Sequence, residues 1–264
     1  HHIATDGWSM GIMADFLANA YNQGPDTIVA SSLQYVDYTQ WQHQHWQRNA
    51  LADKLTAYWR ATLEDLPLLH GLALDKLRPV VPSYEANVSK LILDASLTSR
   101  LNDFAQKQNV TPFVLLQSLF TLTLAQFSAE TDVVMGCPVA NRTMAEVDEM
   151  VGYFVNSIVL RSQVDWSQSF SQWLTVQHQH ILEAFEHQEL PFERVVEEVN
   201  PARAVNHHPL FQIMFNYLGR HIAKNDIALS GIEASSFEGS QGYAKFDLTL
   251  TAMETEQESV ELIL

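Results

Sequence analysis

Apolar residues recur every three or four positions in several stretches of this chain, which is the spacing of an amphipathic helix. The first stretch runs from Ser9, a residue type that caps helices, to the Gly24-Pro25 pair, which ends them. Farther along the chain, Thr111 followed by Pro112 is typical of a helix start. The same spacing predicts further helices over residues 51–66, 96–108, 112–127, 169–188 and 191–199.

Short apolar or alternating runs between these helices predict strands. They lie at residues 87–94, 131–139, 153–164, 210–217, 232–238, 245–253 and 259–264. Neither pattern covers the stretch between His70 and Glu85, which Gly71 and two prolines interrupt, so we interpret it as a linker. Helices and strands are mixed without a regular βαβ repeat, which predicts the α+β class, or α/β with mixed sheets.

Composition narrows the possible partners and compartment. With 264 residues and 47% hydrophobic content, the chain can build a substantial core. No apolar run approaches the ~18 residues of a membrane span, so no membrane partner is expected. A net charge of −16 disfavours nucleic acid. The single cysteine, Cys137, excludes an internal disulfide and a cysteine-based zinc site, and we expect a cytoplasmic location.

The candidate chemistry lies in the first seven residues, HHIATDG. A neutral imidazole takes up a proton near neutral pH, because its ordinary pKa is ~6.5. Asp6 can fix a local turn or a cation, and Gly7 allows a sharp backbone turn. The predicted helix follows directly, and the N–H groups at a helix N-terminus point outward. A base on such a turn, with donors for an oxyanion beside it, suits acyl transfer.

Two other kinds of site need to be considered, a metal site at the histidine pairs and a stacking site for a ligand at an aromatic cluster. His43 and His45, like His178 and His180, are two positions apart and would point to different sides of a helix, so we predict no metal site. The aromatic residues between Tyr35 and Trp46 could stack on a ligand, and packing between helices is the interpretation we favour.

HHIATDG resembles the HHxxxDG signature of the superfamily that includes condensation domains and chloramphenicol acetyltransferase. The motifs that follow are similar, in order, to those of condensation domains of nonribosomal peptide synthetases. They are YVDYTQWQ (35–42), VVMGCPVANR (133–142), MVGYFVNSIVLR (150–161), HQELPFERVVEEV (187–199), RAVNHHPLFQIMF (203–215) and KFDLTL (245–250). The segment DKLRP (75–79) is a changed form of the family's DRPRP.

The resemblance implies an architecture of two lobes, each a two-layer α/β sandwich like chloramphenicol acetyltransferase, joined in a V. On this view residues 1–75 are the end of the N-terminal lobe with the linker, and residues 76–264 are a C-terminal lobe that stops early. Most of the N-terminal lobe would then precede the chain, which we expect to be truncated at both ends and, as an isolated fragment, inactive.

The resemblance also implies an activity and partners. Two peptidyl carrier proteins deliver thioesters on phosphopantetheine arms, and the domain itself binds no cofactor. The amine of the downstream aminoacyl group attacks the upstream acyl or peptidyl thioester and forms an amide. An adenylation domain is expected in the same polypeptide.

By the same resemblance, His1, His2, Asp6 and Gly7 form the catalytic motif. His2 lies nearest the attacking amine, where it orients the amine or takes its proton. His1 shapes the turn, and Gly7 offers an N–H to the oxyanion. Asp6 pairs with an arginine that the family places in the lobe absent from this chain.

Substrate-binding positions implied by the resemblance are Trp8, Tyr153 and Asn156, although Tyr153 and Asn156 could equally serve only to pack a strand. Three other functions remain open. The fold also makes epimerisation domains, catalytically silent platforms that recruit partner proteins, and free-standing acyltransferases that use a soluble amine.

Overall fold

A computed structural model describes residues 1–27, 33–48, 50–201, 206–220, 227–233 and 242–264. In these ranges the chain forms seven α-helices, two short 3₁₀ helices (Pro25–Thr27 and Ala145–Val147) and six strands in a mixed order. The helices are α1 (Gly7–Gln23), α2 (Tyr35–Arg48), α3 (Leu51–Thr62), α4 (Ala95–Lys107), α5 (Pro112–Ser128), α6 (Phe170–Glu186) and α7 (Phe192–Val199). The strands are β1 (Lys90–Leu93), β2 (Asp132–Val139), β3 (Asn156–Gln163), β4 (Ile213–Leu218), β5 (Leu248–Glu254) and β6 (Val260–Ile263).

The six strands form one sheet in the order β1-β6-β5-β4-β2-β3. The two central pairings, β5 with β4 and β4 with β2, are parallel, and the outer pairings are antiparallel. Helices α5 and α6 pack on this sheet, where Gln117 contacts Met135 of β2 and Gln177 donates to Ser162 of β3. The same hydrophobic core includes Leu55 and Trp59 of α3, and Leu63 just after that helix. The mixed sheet agrees with the predicted α+β class.

Local capping sets most of the helix starts. Thr111 caps α5 with its hydroxyl on the N–H of Val114, and Pro112 follows as predicted. Ser169 forms a reciprocal capping box with Gln172 at the start of α6. At α1 the prediction is wrong, because Asp6 rather than Ser9 is the cap and the helix begins at Gly7.

Two strand predictions need correction. Residues 153–155 precede β3 instead of belonging to it, and Ile158, Val159 and Leu160 are all buried instead of alternating. Contacts from both α6 and α7 to β3 explain this burial. Within the predicted strand at 232–238, Ile232 forms only an isolated bridge to Leu229, and residues 234–238 lie outside the described residues.

Helix α2 packs on residues 144–154 through a second, smaller hydrophobic core. Tyr38 of α2 is buried with Val147, Met150 and Phe154. The ring of Tyr35 lies so close to Gly152 that a Cβ there would come within 2.2 Å of it. This close approach, rather than a special backbone angle, explains why position 152 requires glycine.

The predicted linker contains no helix or strand, and an ion-pair cluster fixes it to the sheet. Asp247, just before β5, accepts from Nε2 of His70 at 3.0 Å and from Nη1 of Arg78 at 2.8 Å. The second guanidinium nitrogen of Arg78 donates to the other carboxylate oxygen. Gln212 donates to the carbonyl of Leu68 and accepts from the N–H of His70. The domain boundary at residue 75 stays a prediction.

We expect the Asp247→Asn variant to be less stable than the parent chain at pH 7 by about 2 kcal/mol, because two charge-assisted contacts are weakened. Burial alone would raise the pKa of Asp247, but hydrogen bonds from His70 and Arg78 hold the pKa below its ordinary value. The ionised carboxylate therefore stabilises the fold above about pH 4, and this stability is lost as the pH falls further.

Urea unfolding at pH 7 and pH 3 measures this difference, which should shrink at the lower pH. Glu197→Gln is the matched control, because Glu197 pairs with Arg194 on an exposed surface. Its effect should stay below about 0.5 kcal/mol. An equal loss of stability in both variants would contradict a special role for Asp247.

Candidate active site

The site is built around the side chain of Asp6. Asp6 is extended (φ −128°, ψ −178°), and its Oδ1 accepts from the N–H of Ser9 at 2.8 Å, which caps α1. Its Oδ2 accepts from the N–H groups of Phe154 at 3.0 Å and Val155 at 3.3 Å. One carboxylate therefore joins the start of α1 to the segment that precedes β3.

Arg142 is the cationic partner of this carboxylate. Its Nη2 lies 3.4 Å from Oδ1 of Asp6 and 3.0 Å from the hydroxyl of Ser9. Its Nη1 donates to the carbonyl of Met150 at 2.8 Å and also to that of Val147. The side chains of Asp6 and Arg142 are each 2% exposed, so this is a buried ion pair with further hydrogen bonds.

The expectation that the arginine lies outside this chain is therefore wrong. Arg142 ends the VVMGCPVANR motif just after β2, and its side chain reaches the loop of Asp6 136 residues away in sequence. Its guanidinium also lies 4.1 Å from the centre of the Phe154 ring and 5.7 Å from that of Trp8. In the sequence Arg142 stands out only as the end of a motif, and a lone cation after an apolar strand is the signal that could have found it.

The electrostatic balance at Asp6 favours its charged form. Burial by itself would raise the pKa of this carboxyl. Hydrogen bonds from Ser9 and the Phe154 N–H, together with the charge of Arg142, outweigh burial and hold the pKa below its ordinary value. Asp6 is therefore a fixed anion of the scaffold rather than an acid that exchanges protons.

The two histidines are both exposed on the loop and make different contacts. Nδ1 of His1 accepts from the N–H of Ile3 at 3.1 Å. Nδ1 of His2 lies 3.2 Å from the carbonyl oxygen of Thr5. A carbonyl only accepts, so this contact places the proton of a neutral His2 on Nδ1 and leaves the lone pair on Nε2. The His2 ring centre lies 5.9 Å from that of Tyr153.

Gly7 and Trp8 occupy the first turn of α1. Gly7 has no left-handed backbone angle, and a Cβ there would meet no protein atom within 4 Å. The prediction that Gly7 supplies the turn is wrong, because Gly7 already belongs to the helix and the chain turns at residues 1–4, where the N–H of Ala4 donates to the carbonyl of His1 at 3.0 Å. The indole N–H of Trp8 donates to the carbonyl of Asp148 at 2.9 Å, and the side chain is 40% exposed.

Tyr153 has an exposed side chain, whereas the side-chain amide of Asn156 is engaged in hydrogen bonds within the fold. Tyr153 is 42% exposed and its carbonyl accepts from the hydroxyl of Tyr35. The Asn156 amide nitrogen donates to the carbonyls of Gln188 at 2.7 Å and Leu190 at 2.8 Å. Its oxygen accepts from the N–H of Phe192. Asn156 thus holds the start of α7 against β3, and a direct contact with substrate stays a prediction for both residues.

Ser9 is a site residue whose role the sequence did not reveal. It is fully buried, and its hydroxyl donates to the carbonyl of Gly152 at 2.9 Å. The same oxygen accepts from the Gly152 N–H and from Arg142. These hydrogen bonds hold the loop at 150–152 and occupy the Ser9 hydroxyl, which is therefore not available to cap the helix.

A family model described as the condensation domain matches residues 1–262. This chain belongs to the condensation domain family. Among curated relatives, a component of the linear gramicidin synthase of Brevibacillus parabrevis is 35% identical over 261 residues, and the phosphinothricin tripeptide synthetase PhsC of Streptomyces viridochromogenes is 34% identical over 261. The match covers 96% and 97% of the chain, but 5% and 24% of those proteins. This condensation domain therefore spans a small part of its relatives.

Solved structures share the fold of this condensation domain. The X-domain from teicoplanin biosynthesis superposes with a TM-score of 0.87 at 23% identity, over the whole chain and 61% of that structure. A four-domain nonribosomal peptide synthetase bound to AMP and glycine superposes with a TM-score of 0.85 at 24% identity, covering 21% of that protein. These likenesses establish the condensation-domain fold.

Two further features of the described residues concern metal-ligating clusters and helices that could span a membrane. In the part of the chain that the structure describes, no cluster of three or more histidine, cysteine or acidic side chains is arranged to hold a metal ion. No single helix of the described ranges is long and apolar enough to cross a membrane. Helices α4 and α5, bent by 101° relative to each other, meet that test only as a pair and only by length and composition.

We expect Asp6→Asn to destabilise the fold by about 3 kcal/mol, because the substitution keeps a capping oxygen but leaves the buried charge of Arg142 without its counter-ion. The pKa of Asp6 lies below its ordinary value, so the stabilisation that the carboxylate provides is present above about pH 4 and is lost as the pH falls. Thermal unfolding at pH 7 measures the effect.

The matched control is Asp165→Asn, which also removes an aspartate that accepts from nearby hydroxyl and amide groups. Asp165 is exposed, so we expect little change in the unfolding temperature. If Asp6→Asn were as stable as this control, the buried pair would not be a source of stability.

Proposed function

We propose that this domain forms peptide bonds in nonribosomal peptide synthesis. The amine of an aminoacyl thioester on a downstream carrier protein attacks an acyl or peptidyl thioester on an upstream carrier. The observation that carries the proposal is the free Nε2 of His2, on a loop whose end is fixed by the buried Asp6–Arg142 pair. The family membership and the synthetase relatives support the same reaction.

The proposed step balances without an added reactant. The amine nitrogen bonds to the thioester carbonyl carbon, and the carbon–sulfur bond breaks as the tetrahedral intermediate collapses. Nε2 of His2 accepts the proton from the amine and returns it to the departing thiolate. The N–H of Gly7 belongs to the first turn of α1, where N–H groups lack partners within the helix, and it donates to the oxyanion.

Positioning carries much of this catalysis. A thioester is already an activated acyl donor, and an α-amino group with an ordinary pKa of about 8 is partly unprotonated near neutral pH. Besides removing the proton of the amine, the residues therefore need to hold the amine against the carbonyl more than to activate the thioester. The two phosphopantetheine arms would bring the substrates, and an adenylation domain in the same polypeptide would load the downstream carrier.

We expect His2→Ala to lower the rate of peptide formation by about 10²–10⁴-fold, the range for loss of a general base. His1→Ala is the matched control, because its Nδ1 is engaged by the backbone of Ile3 and the role proposed for it is to shape the loop. Its effect should be much smaller. The measurement is single-turnover amide formation by the full-length protein with both carriers loaded.

The same assay separates the other candidate functions. An unchanged rate in His2→Ala would remove His2 from the chemistry. If the parent protein formed no amide with both carriers loaded, the epimerisation or the partner-recruiting alternative would replace this proposal. Inversion of a single carrier-bound residue, followed by chiral analysis, would identify the epimerase.

We expect Gly7→Ala to slow amide formation by about 10²-fold, because a Cβ beside the N–H donor would displace the reacting carbonyl. The new methyl group meets no protein atom within 4 Å, so the fold should lose no stability. Gly11→Ala is the control, since Gly11 lies in the same helix and its Cβ also meets nothing. Equal rates in the two variants would exclude a close approach of substrate to Gly7.

A further inference from the structure

An open cleft of about 240 Å³ lies next to Tyr153, the residue whose ring neighbours that of His2. Tyr35 and Tyr38 of α2 also line it, as do Glu189 and Pro191 before α7 and Phe192 and Glu193 within it. The cleft therefore adjoins the position where the reacting groups would meet.

One wall of the cleft carries a buried amide without a partner. Asn141 is 8% exposed, and its Oδ1 has no hydrogen-bond partner among the described residues. A buried polar group left unpaired costs about 1–3 kcal/mol. Asn141 has a left-handed backbone (φ 53°), a conformation that asparagine tolerates better than most residues. The chain thus keeps a costly, unpaired hydrogen-bonding group at this position.

A second group in the cleft offers a hydrogen. The hydroxyl of Tyr38 accepts from the side-chain amide of Gln42 at 3.1 Å, and no described acceptor takes its own hydrogen. Burial, and then the charge of Glu189, raise the pKa of Tyr38 to about 12. The hydroxyl therefore stays protonated at neutral pH and remains a donor.

The charge of the cleft has one sign. Among the described residues that line it, both charged side chains, Glu189 and Glu193, are carboxylates. They attract an ammonium group and repel a free carboxylate. A carboxyl group that is masked as a thioester or an amide carries no charge and escapes this repulsion.

We propose that this cleft binds the amine of the acceptor substrate, with the Asn141 amide oxygen accepting its N–H and the Tyr38 hydroxyl donating to its masked carbonyl. Glu189 and Glu193 select an amine whose carboxyl group is esterified or amidated over a free amino acid. The inference rests on the proposed function, because it names the binding site of one of the two substrates.

The test measures binding of alaninamide, free alanine and N-acetylalaninamide to the full-length protein by ligand-observed nuclear magnetic resonance. Alaninamide keeps the amine and masks the carboxyl group, free alanine restores the carboxylate, and N-acetylalaninamide removes the cation. We expect each of the last two to bind at least about tenfold more weakly than alaninamide, the effect of losing one interaction with a charged group.

Two variants test the residues. Asn141→Gly removes the amide at a backbone angle that glycine adopts without strain, and we expect it to weaken alaninamide binding about tenfold. Glu189→Gln should weaken it severalfold and reduce its dependence on salt. Glu197→Gln, outside the cleft, is the matched control and should leave the affinity unchanged. Thermal unfolding confirms that each variant is folded.

Equal binding of alanine and alaninamide, or unchanged alaninamide affinity in Asn141→Gly, would overturn the assignment of the cleft. The amide-formation assay separates this failure from that of the proposed function. Amide formation with a normal acceptor KM in both cleft variants would leave the function standing and reject the site. Selective alaninamide binding that depends on Asn141, without amide formation by the parent protein, would support the site and reject the function.

Discussion

The buried ion pair between Asp6 and Arg142 is the contact on which the geometry of this site depends. Removing two charges from water is costly, and their attraction compensates only if the remaining hydrogen-bonding groups find partners. Among the described residues all but the Nε–H of Arg142 do, because Ser9, the backbone of residues 154–155 and the carbonyls of Met150 and Val147 surround the pair. The pair thereby fixes the loop of the histidines against the segment that carries Tyr153.

The same carboxylate also decides where α1 starts. As the cap, Asp6 occupies one N–H of the first turn and leaves the N–H of Gly7 at the open end of the helix. The histidine loop, the helix N-terminus and the cleft lined by Tyr153 are consequently set by one side chain. A change at Asp6 would therefore affect stability and geometry together, whereas changes at His2 or Gly7 affect exposed groups only.

Sequence patterns predicted the elements better than the contacts between them. The start of α5 was predicted to the residue, because the Thr111 cap and Pro112 act locally. The start of α1 differs from the prediction, since Asp6 and Ser9 are both residue types that cap helices. Ser9 is not the cap because its hydroxyl bonds to Gly152, which is distant in sequence. The family resemblance points to an arginine outside the chain as the partner of Asp6, and a separation of 136 positions in sequence hides its link to Arg142. Similarly, nothing in the sequence reveals that the side-chain amide of Asn156 donates to the carbonyls of Gln188 and Leu190.

An acidic cleft favours the protonated form of a bound amine, whereas attack on the thioester requires the neutral form. Carboxylates such as Glu189 favour the ammonium form and raise the pKa of an amine bound beside them. The ammonium binds well but has no lone pair with which to attack a thioester. A group that removes this first proton before the attack is then required. The free Nε2 of His2 lies on the side of the cleft marked by Tyr153, and in the proposed reaction it passes this proton to solvent before it accepts the second one during the attack. Binding through charge therefore makes proton removal part of the proposed reaction rather than an accessory to it.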